Sequence, residues 1–127
     1  MRGKKNWPDF GKSGTQITKE IMNAVASEFG HDAVVFRNNV GTWTDGKSFV
    51  RYGLAPGSPD IVLILRGSVF VGIEVKSLRD RESDAQKNWA SMCHRLSIKH
   101  VVAQGTSELS ACEVAMRYVR DIESGAE

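Results

Sequence analysis

The sequence predicts a single α/β domain, a mixed sheet of about four strands flanked by helices in the order α-β-β-β-α-β-α. Three observations lead there. Residues 15–29 repeat apolar side chains at helical spacing. Residues 60–76 hold two apolar runs of strand composition that meet at Gly67-Ser68, as a hairpin does. Residues 83–122 read helix, strand, helix, so the last strand follows a crossover and can join the sheet in parallel.

Taken in order, residues 1–14 set Gly3, Pro8, Gly11 and Gly14 among Arg2, Lys4, Lys5 and Lys12. They read as a flexible basic arm, either an idle tail or a segment that touches phosphate. The first helix is expected over Thr15–Phe29, with Ser13 and Gln16 as a capping box and Gly30 as its stop. Ile17, Ile21, Ala24, Val25 and Phe29 form its apolar stripe, and Glu20 borders that stripe. A first strand, Ala33–Arg37, ends in Asn38-Asn39.

Residues 40–58 form a long connection in which Trp43, Phe49 and Tyr52 alternate with Lys47 and Arg51. A connection of this length is usually functional or hides a short element, here a strand over Ser48–Tyr52. Its aromatics either face a substrate or fold back on the core. Arg37, Lys47 and Arg51 are the candidate nucleic-acid contacts.

The hairpin comprises Asp60–Leu65 and Val69–Lys76. Residues 61–65 are apolar at every position, which predicts a central strand covered on both faces. Asp80–Glu82 form a charged turn. Ser83 opens the second helix with Gln86 at the capping-box position, and Ala85, Trp89, Met92, Cys93 and Leu96 give its stripe. Lys99–Gln104 is the last strand. Ser107 is expected to cap a final helix burying Leu109, Cys112, Ala115 or Met116, Val119 and Ile122, with a frayed tail over 124–127.

The 127 residues carry 41% hydrophobic and 25% charged side chains and suit one conventional core. No apolar run approaches the roughly 20 residues of a membrane span, and Trp7-Pro8-Asp9 follows the basic N-terminus where a signal core would stand. The expected compartment is the cytoplasm. Cys93 and Cys112 fall on helical stripes and read as buried thiols. A net charge of +2 neither marks nor excludes a nucleic-acid partner, because a site lined with acids lowers the total.

Chemistry concentrates at one end of the hairpin. Asp60 stands at the outer end of the first strand, Glu74 and Lys76 at the matching end of the second. Two carboxylates suit a hard cation such as magnesium or manganese, and the carbonyl of Val75 is a natural further ligand. Lys76 shares a face with Glu74 and can orient an attacking water or offset phosphate charge. Such a set fits phosphodiester hydrolysis, with Gln86 either a simple cap or a helper. The register imposes a condition. A two-residue loop would put Asp60 on the opposite face from Glu74, so the site requires an odd-length loop, a bulge, or Asp60 in the bend before the strand.

Pro59-Asp60 followed by Glu74-Val75-Lys76 resembles the PD-(D/E)XK nuclease superfamily. More closely, Gly57-Ser-Pro-Asp60, Gly72-Ile-Glu-Val-Lys-Ser77, Gln86 and Trp89 resemble the virus-type replication-repair nuclease (VRR-NUC) domain, from about Arg37 to Gly105. Ser58 departs from the apolar residue more common before the proline. The resemblance implies a restriction-endonuclease-like core and a magnesium- or manganese-dependent nuclease. It implies metal ligands Asp60, Glu74 and the Val75 carbonyl, catalytic Lys76, and assistance from Gln86 and Glu20. Small stand-alone members, often phage-encoded, resemble homodimeric endonucleases acting on branched DNA such as Holliday junctions. Flaps, linear duplex or RNA are alternative substrates, and a non-catalytic nucleic-acid-binding module is the rival of another class.

Overall fold

The computed structural model describes residues 3–38, 41–52 and 55–125, and only the backbone of 41–44 and 49–52. Helix α1 spans Gly14–Phe29 and leads through one 3-10 turn into β1, Ala33–Arg37. Strands β2 (Gly41–Thr44), β3 (Phe49–Tyr52), β4 (Ile61–Leu65) and β5 (Val69–Lys76) follow. Helix α2 (Asp84–Leu96), β6 (Lys99–Gln104) and α3 (Ala111–Ser124) complete the chain. The main sheet has the order β1-β4-β5-β6, with β5 and β6 parallel and the other pairs antiparallel. This is the mixed four-stranded sheet that the sequence predicts.

Local chemistry sets the helix starts. The Ser13 hydroxyl accepts from the Gln16 amide at 3.2 Å, and the Gln16 side chain accepts from the Ser13 amide at 2.9 Å, so two orphan donors are satisfied together. Ser83 and Gln86 form the same box at the head of α2. For α3 the cap is Ser110 and not Ser107. The Thr106 hydroxyl accepts from the amides of Glu108 and Leu109, stabilising a turn that delays the helix by three residues.

Side chains alternate across the sheet, and its two faces have different fates. On one face Ile61, Leu63, Leu65, Val71, Ile73, Val75 and Ala103 pack against Ile17, Ile21 and Val25 of α1 and Ala115, Met116 and Val119 of α3. This is the core, and each fully buried aliphatic side chain there contributes about 1.5–3 kcal/mol. The other face carries Glu74, Lys76 and α2. Here β4 differs from expectation. It is central, and Val62 is buried, yet Ile64 faces solvent beside Val34 and Phe70, its cross-strand partners. α2 packs chiefly toward β6 and leaves these side chains uncovered. Its predicted stripe is correspondingly shallow, with Cys93 buried, Trp89 and Met92 half-buried and Leu96 exposed. Both cysteines are free thiols, Cys93 buried and Cys112 half-buried.

The connection after β1 hides two short strands where the sequence suggests one. β2 and β3 pair with each other from Gly41–Tyr52 to Thr44–Phe49, as a separate hairpin. Gly41-Thr-Trp-Thr44 holds three strand-favouring residues but is too short to signal a strand by itself. The side chains of Trp43, Phe49, Arg51 and Tyr52 lie outside the described residues. Among the described residues no helix is long and apolar enough to cross a membrane.

Candidate active site

The β4–β5 hairpin meets the register condition. Leu65 pairs with Val69 across the three-residue loop Arg66-Gly67-Ser68, and Ile61 pairs with Ile73 at the far end. The next position in register therefore sets Asp60 opposite Glu74, on the same face. Positive φ values at Gly67 and Ser68 build the odd-length loop. Asp60 itself sits in the bend before β4, so two of the three permitted arrangements occur together.

That bend is held from several sides. Asp60 Oδ2 accepts from the Val75 amide at 2.7 Å, tying the carboxylate to the end of β5. The Asn38 side-chain amide donates to Ser58 Oγ at 2.8 Å and to the Pro59 carbonyl at 2.9 Å, and the Asn38 backbone amide donates to the Asp60 carbonyl. Gly57 packs on the first turn of α2. With φ at 81° and an added Cβ only 2.1 Å from the Ala85 carbonyl oxygen, no other residue fits there. The sequence offers Asn38 only as a polar strand end, and its role emerges when residues 38 and 58–60 meet.

Glu74 is 2% exposed. Its Oε2 accepts from Gln86 Nε2 at 2.6 Å, while Oε1 is buried with no hydrogen-bond partner. Burial, and then the negative charge of Asp60, push its pKa up to about 8; Lys76 pulls the other way. Lys76, 8% exposed, donates to Gln86 Oε1 at 2.7 Å and to the Arg81 carbonyl at 3.1 Å, and lies 3.8 Å from Glu74 Oε2. Gln86 is both cap and helper. Its oxygen accepts from Lys76 and from the Ser83 amide, and its nitrogen donates to Glu74. Donors on one side and an acceptor on the other leave one orientation for that amide.

Glu20 stays apart. Its carboxylate pairs with Lys12 at 2.9 Å and not with the Asp60–Glu74 cluster, because α1 packs on the opposite face of the sheet. Among the described residues no group of three or more His, Cys, Asp or Glu side chains is arranged to hold a metal ion. Two carboxylates nonetheless fit magnesium, which commonly takes one or two from protein and its remaining ligands from water and phosphate. Glu74 Oε1, buried without a hydrogen-bond partner, is an open donor atom of the kind such a cation takes.

Arg37 lines a cleft of about 310 Å³ with Asn38, Pro59, Asp60, Ser83 and Gln86, which places it beside the cluster. Lys47 is exposed in the β2–β3 turn, where Asp45 holds its backbone amide. One neighbour escapes the sequence reading. Glu82, assigned there to a charged turn, has a buried Oε2 without a hydrogen-bond partner and lies close enough to raise the Glu74 pKa. Nothing in its local sequence distinguishes it from Asp80, whose carboxylate caps the Ser77 amide.

The family model of the VRR-NUC domain matches residues 43–107, which hold every member of this cluster. A solved structure described as a VRR_NUC domain is similar over 87% of this chain and 94% of its own, with a TM-score of 0.53 and 17% sequence identity. At that identity the likeness concerns the fold. No curated protein matches the chain.

Proposed function

The chain belongs to the VRR-NUC domain family and has its nuclease-type fold, and from that premise we propose that it is a divalent-metal-dependent DNA endonuclease. The observation that carries the reading is the pairing of Asp60 with a buried Glu74 whose Oε1 has no hydrogen-bond partner, next to the ammonium of Lys76. A buried acceptor without a partner costs about 1–3 kcal/mol, and a cation held there would offset that cost.

Asp60, Glu74 and the Val75 carbonyl would hold the cation, magnesium or manganese. When bound, it supplies charge neutralisation at the phosphate and a more acidic water. The chain's own groups do the rest. Asp60 is aimed by the Val75 amide and the Asn38 clamp, and Glu74 by Gln86. Lys76 is fixed by two acceptors and brings positive charge to where the phosphate becomes more negative. Arg37, in the adjoining cleft, is placed to contact the DNA backbone.

We further propose a homodimer acting on branched DNA. The dimer is supported by the uncovered apolar side chains Val34, Phe36, Ile64 and Phe70 on the same face as the carboxylates. A second copy seated there would bring two sites into one assembly, as a junction with two symmetric backbones requires. The test is cleavage of labelled four-way junction, flap, linear duplex, single-stranded DNA and RNA with magnesium. Asp60→Asn, Glu74→Ala and Lys76→Ala should each abolish cleavage while leaving the fold intact. Full activity in any of the three would sink the mechanism, and preference for another substrate would replace the junction.

A further inference from the structure

A second cleft, about 630 Å³, opens between residues 4–12 and the segment after β5, with Lys4, Lys5, Phe10, Lys12, Leu78 and Arg79 among its walls. We propose that it binds an unpaired segment of a DNA strand, one base stacking on Phe10 and the flanking phosphates meeting Lys4, Lys5 and Arg79. The proposal rests on the nuclease reading and adds a part of the substrate to it.

Charge is the first support. Lys12 is neutralised by Glu20 and Asp9. Lys4, Lys5 and Arg79 form no ion pair among the described residues, and all three are exposed. Lys4 lies 5.3 Å from the Trp7 ring and donates to the carbonyl of Leu78 in the cleft wall. Three unpaired cations around one concavity attract a polyanion.

Phe10 is the second support. It is 54% exposed, yet the backbone presenting it is fixed. Successive turn bonds run from Trp7 to Lys4, Phe10 to Trp7 and Lys12 to Asp9. Asp9, 1% exposed, accepts from the Ala111 amide at 2.7 Å at the start of α3, and Gly105 leaves room for it. A large aromatic held out to solvent from a rigid frame, among cations, has the composition of a base-stacking platform. Duplex bases are stacked inside the helix, so only an unpaired base offers Phe10 a ring face.

Position is the third. One edge of the sheet presents, from β1 to β6, Arg37 and Asn38, then Asp60, then Lys76, then Gln104. The Arg37 cleft adjoins the β1–β4 side of the carboxylates. The Lys4–Arg79 cleft adjoins the β5–β6 side, since Ser77 in its wall directly follows Lys76 and Asp9 touches Gly105 just after β6. Both clefts therefore lie at the end of the sheet that carries Asp60 and Lys76, one toward β1 and β4 and the other toward β5 and β6.

The experiment is fluorescence anisotropy of the full chain with a labelled oligothymidylate and, separately, a blunt duplex, in EDTA. Phe10→Ala should weaken oligothymidylate binding about 5- to 150-fold, the range for losing one stacked base, and change duplex binding less than twofold. Replacing Lys4, Lys5 and Arg79 together by alanine should lower the salt slope of oligothymidylate binding by about 2, roughly 0.7 per charge. Unchanged melting temperatures establish that the variants fold. No effect of Phe10→Ala, an equal loss on both ligands, or no oligothymidylate binding by the wild type would each overturn the proposal. Because nothing is cleaved in EDTA, these outcomes are independent of whether Asp60→Asn abolishes cleavage in magnesium, which alone decides the nuclease reading.

Discussion

Gln86 Nε2 donates to Glu74 Oε2 at 2.6 Å while the same side chain closes the capping box of α2. One residue thus couples the start of a helix to the orientation of a buried carboxylate. The two roles separate by substitution. Gln86→Ala should lower stability by about 1 kcal/mol through the lost cap and lower magnesium-dependent cleavage about 10- to 100-fold through loosened Glu74 and Lys76. Gln86→Glu keeps acceptors for Ser83 and Lys76 but sets a third negative charge against Glu74. It should recover most of the stability and none of the activity. Thermal melting and cleavage rates on the two variants check this, and recovery of both properties in Gln86→Glu would show that the amide donor is dispensable.

Glu74 makes the protein pH-sensitive in a definite direction. Its folded pKa, about 8, lies above the 4.5 of a free glutamate because of burial and then the charge of Asp60. The folded state therefore holds the proton more tightly than the unfolded chain. The stability this gives is complete below the unfolded pKa and is lost as pH rises through about 8. Metal-free protein should melt at a lower temperature at pH 9 than at pH 6, and Glu74→Gln should flatten that difference. A cation competes with the same proton. Magnesium affinity should thus rise with pH, by up to about tenfold per unit, and level off above about pH 8. Calorimetry in buffers of different ionisation enthalpy would count the proton released. Affinity independent of pH between 6 and 8 would remove Glu74 from the ligand set.

Residues 57–60 are shaped by neighbours distant in sequence. An alanine at 57 would need a positive φ and would place its Cβ 2.1 Å from the Ala85 carbonyl oxygen, pushing the Pro59-Asp60 bend away from α2. Gly57→Ala should cost at least about 2 kcal/mol in urea unfolding and weaken magnesium binding as well. Asn38→Ala, which removes the side-chain bonds to Ser58 and Pro59, should cost less stability and still lower magnesium affinity. If Asn38→Ala leaves affinity untouched, the bend holds Asp60 without its clamp.

What was legible in the sequence follows from the range of the forces. Capping boxes at Ser13–Gln16 and Ser83–Gln86 are local chemistry and occur as read. The Asp60–Glu74 pairing could be stated as a condition because strand periodicity is rigid, and the three-residue loop then met it. Glu20 could not be placed that way. Its distance from Ile17 and Ala24 says that it borders a buried face, but not which partner it finds, and Lys12 from the preceding turn pairs with it. Ser107 failed as a cap because Thr106 offers a competing local turn. The uncovered stretch of the sheet was hidden for another reason. An apolar run such as Ile61–Leu65 looks the same whether its second face meets a helix of its own chain or is left bare, as Ile64 is.

That bare stretch leads to the last expectation. Val34, Ile64 and Phe70 are direct cross-strand neighbours, and Phe36 extends the row toward the carboxylates. Exposed apolar side chains are ordinary singly, but a contiguous set on a regular sheet face marks an interaction surface. If a second copy covers it, the solution mass at micromolar concentration should be twice 14.0 kDa. Phe36→Asp combined with Phe70→Asp should then return it to 14.0 kDa. Because both side chains are already solvent-exposed in the single chain, the variant's fold should persist in circular dichroism. Its cleavage of a simple duplex would survive if one chain holds a complete site, while coordinated cutting of two junction strands would be lost. A wild-type mass of 14.0 kDa would rule out the dimer and leave the stripe to another partner.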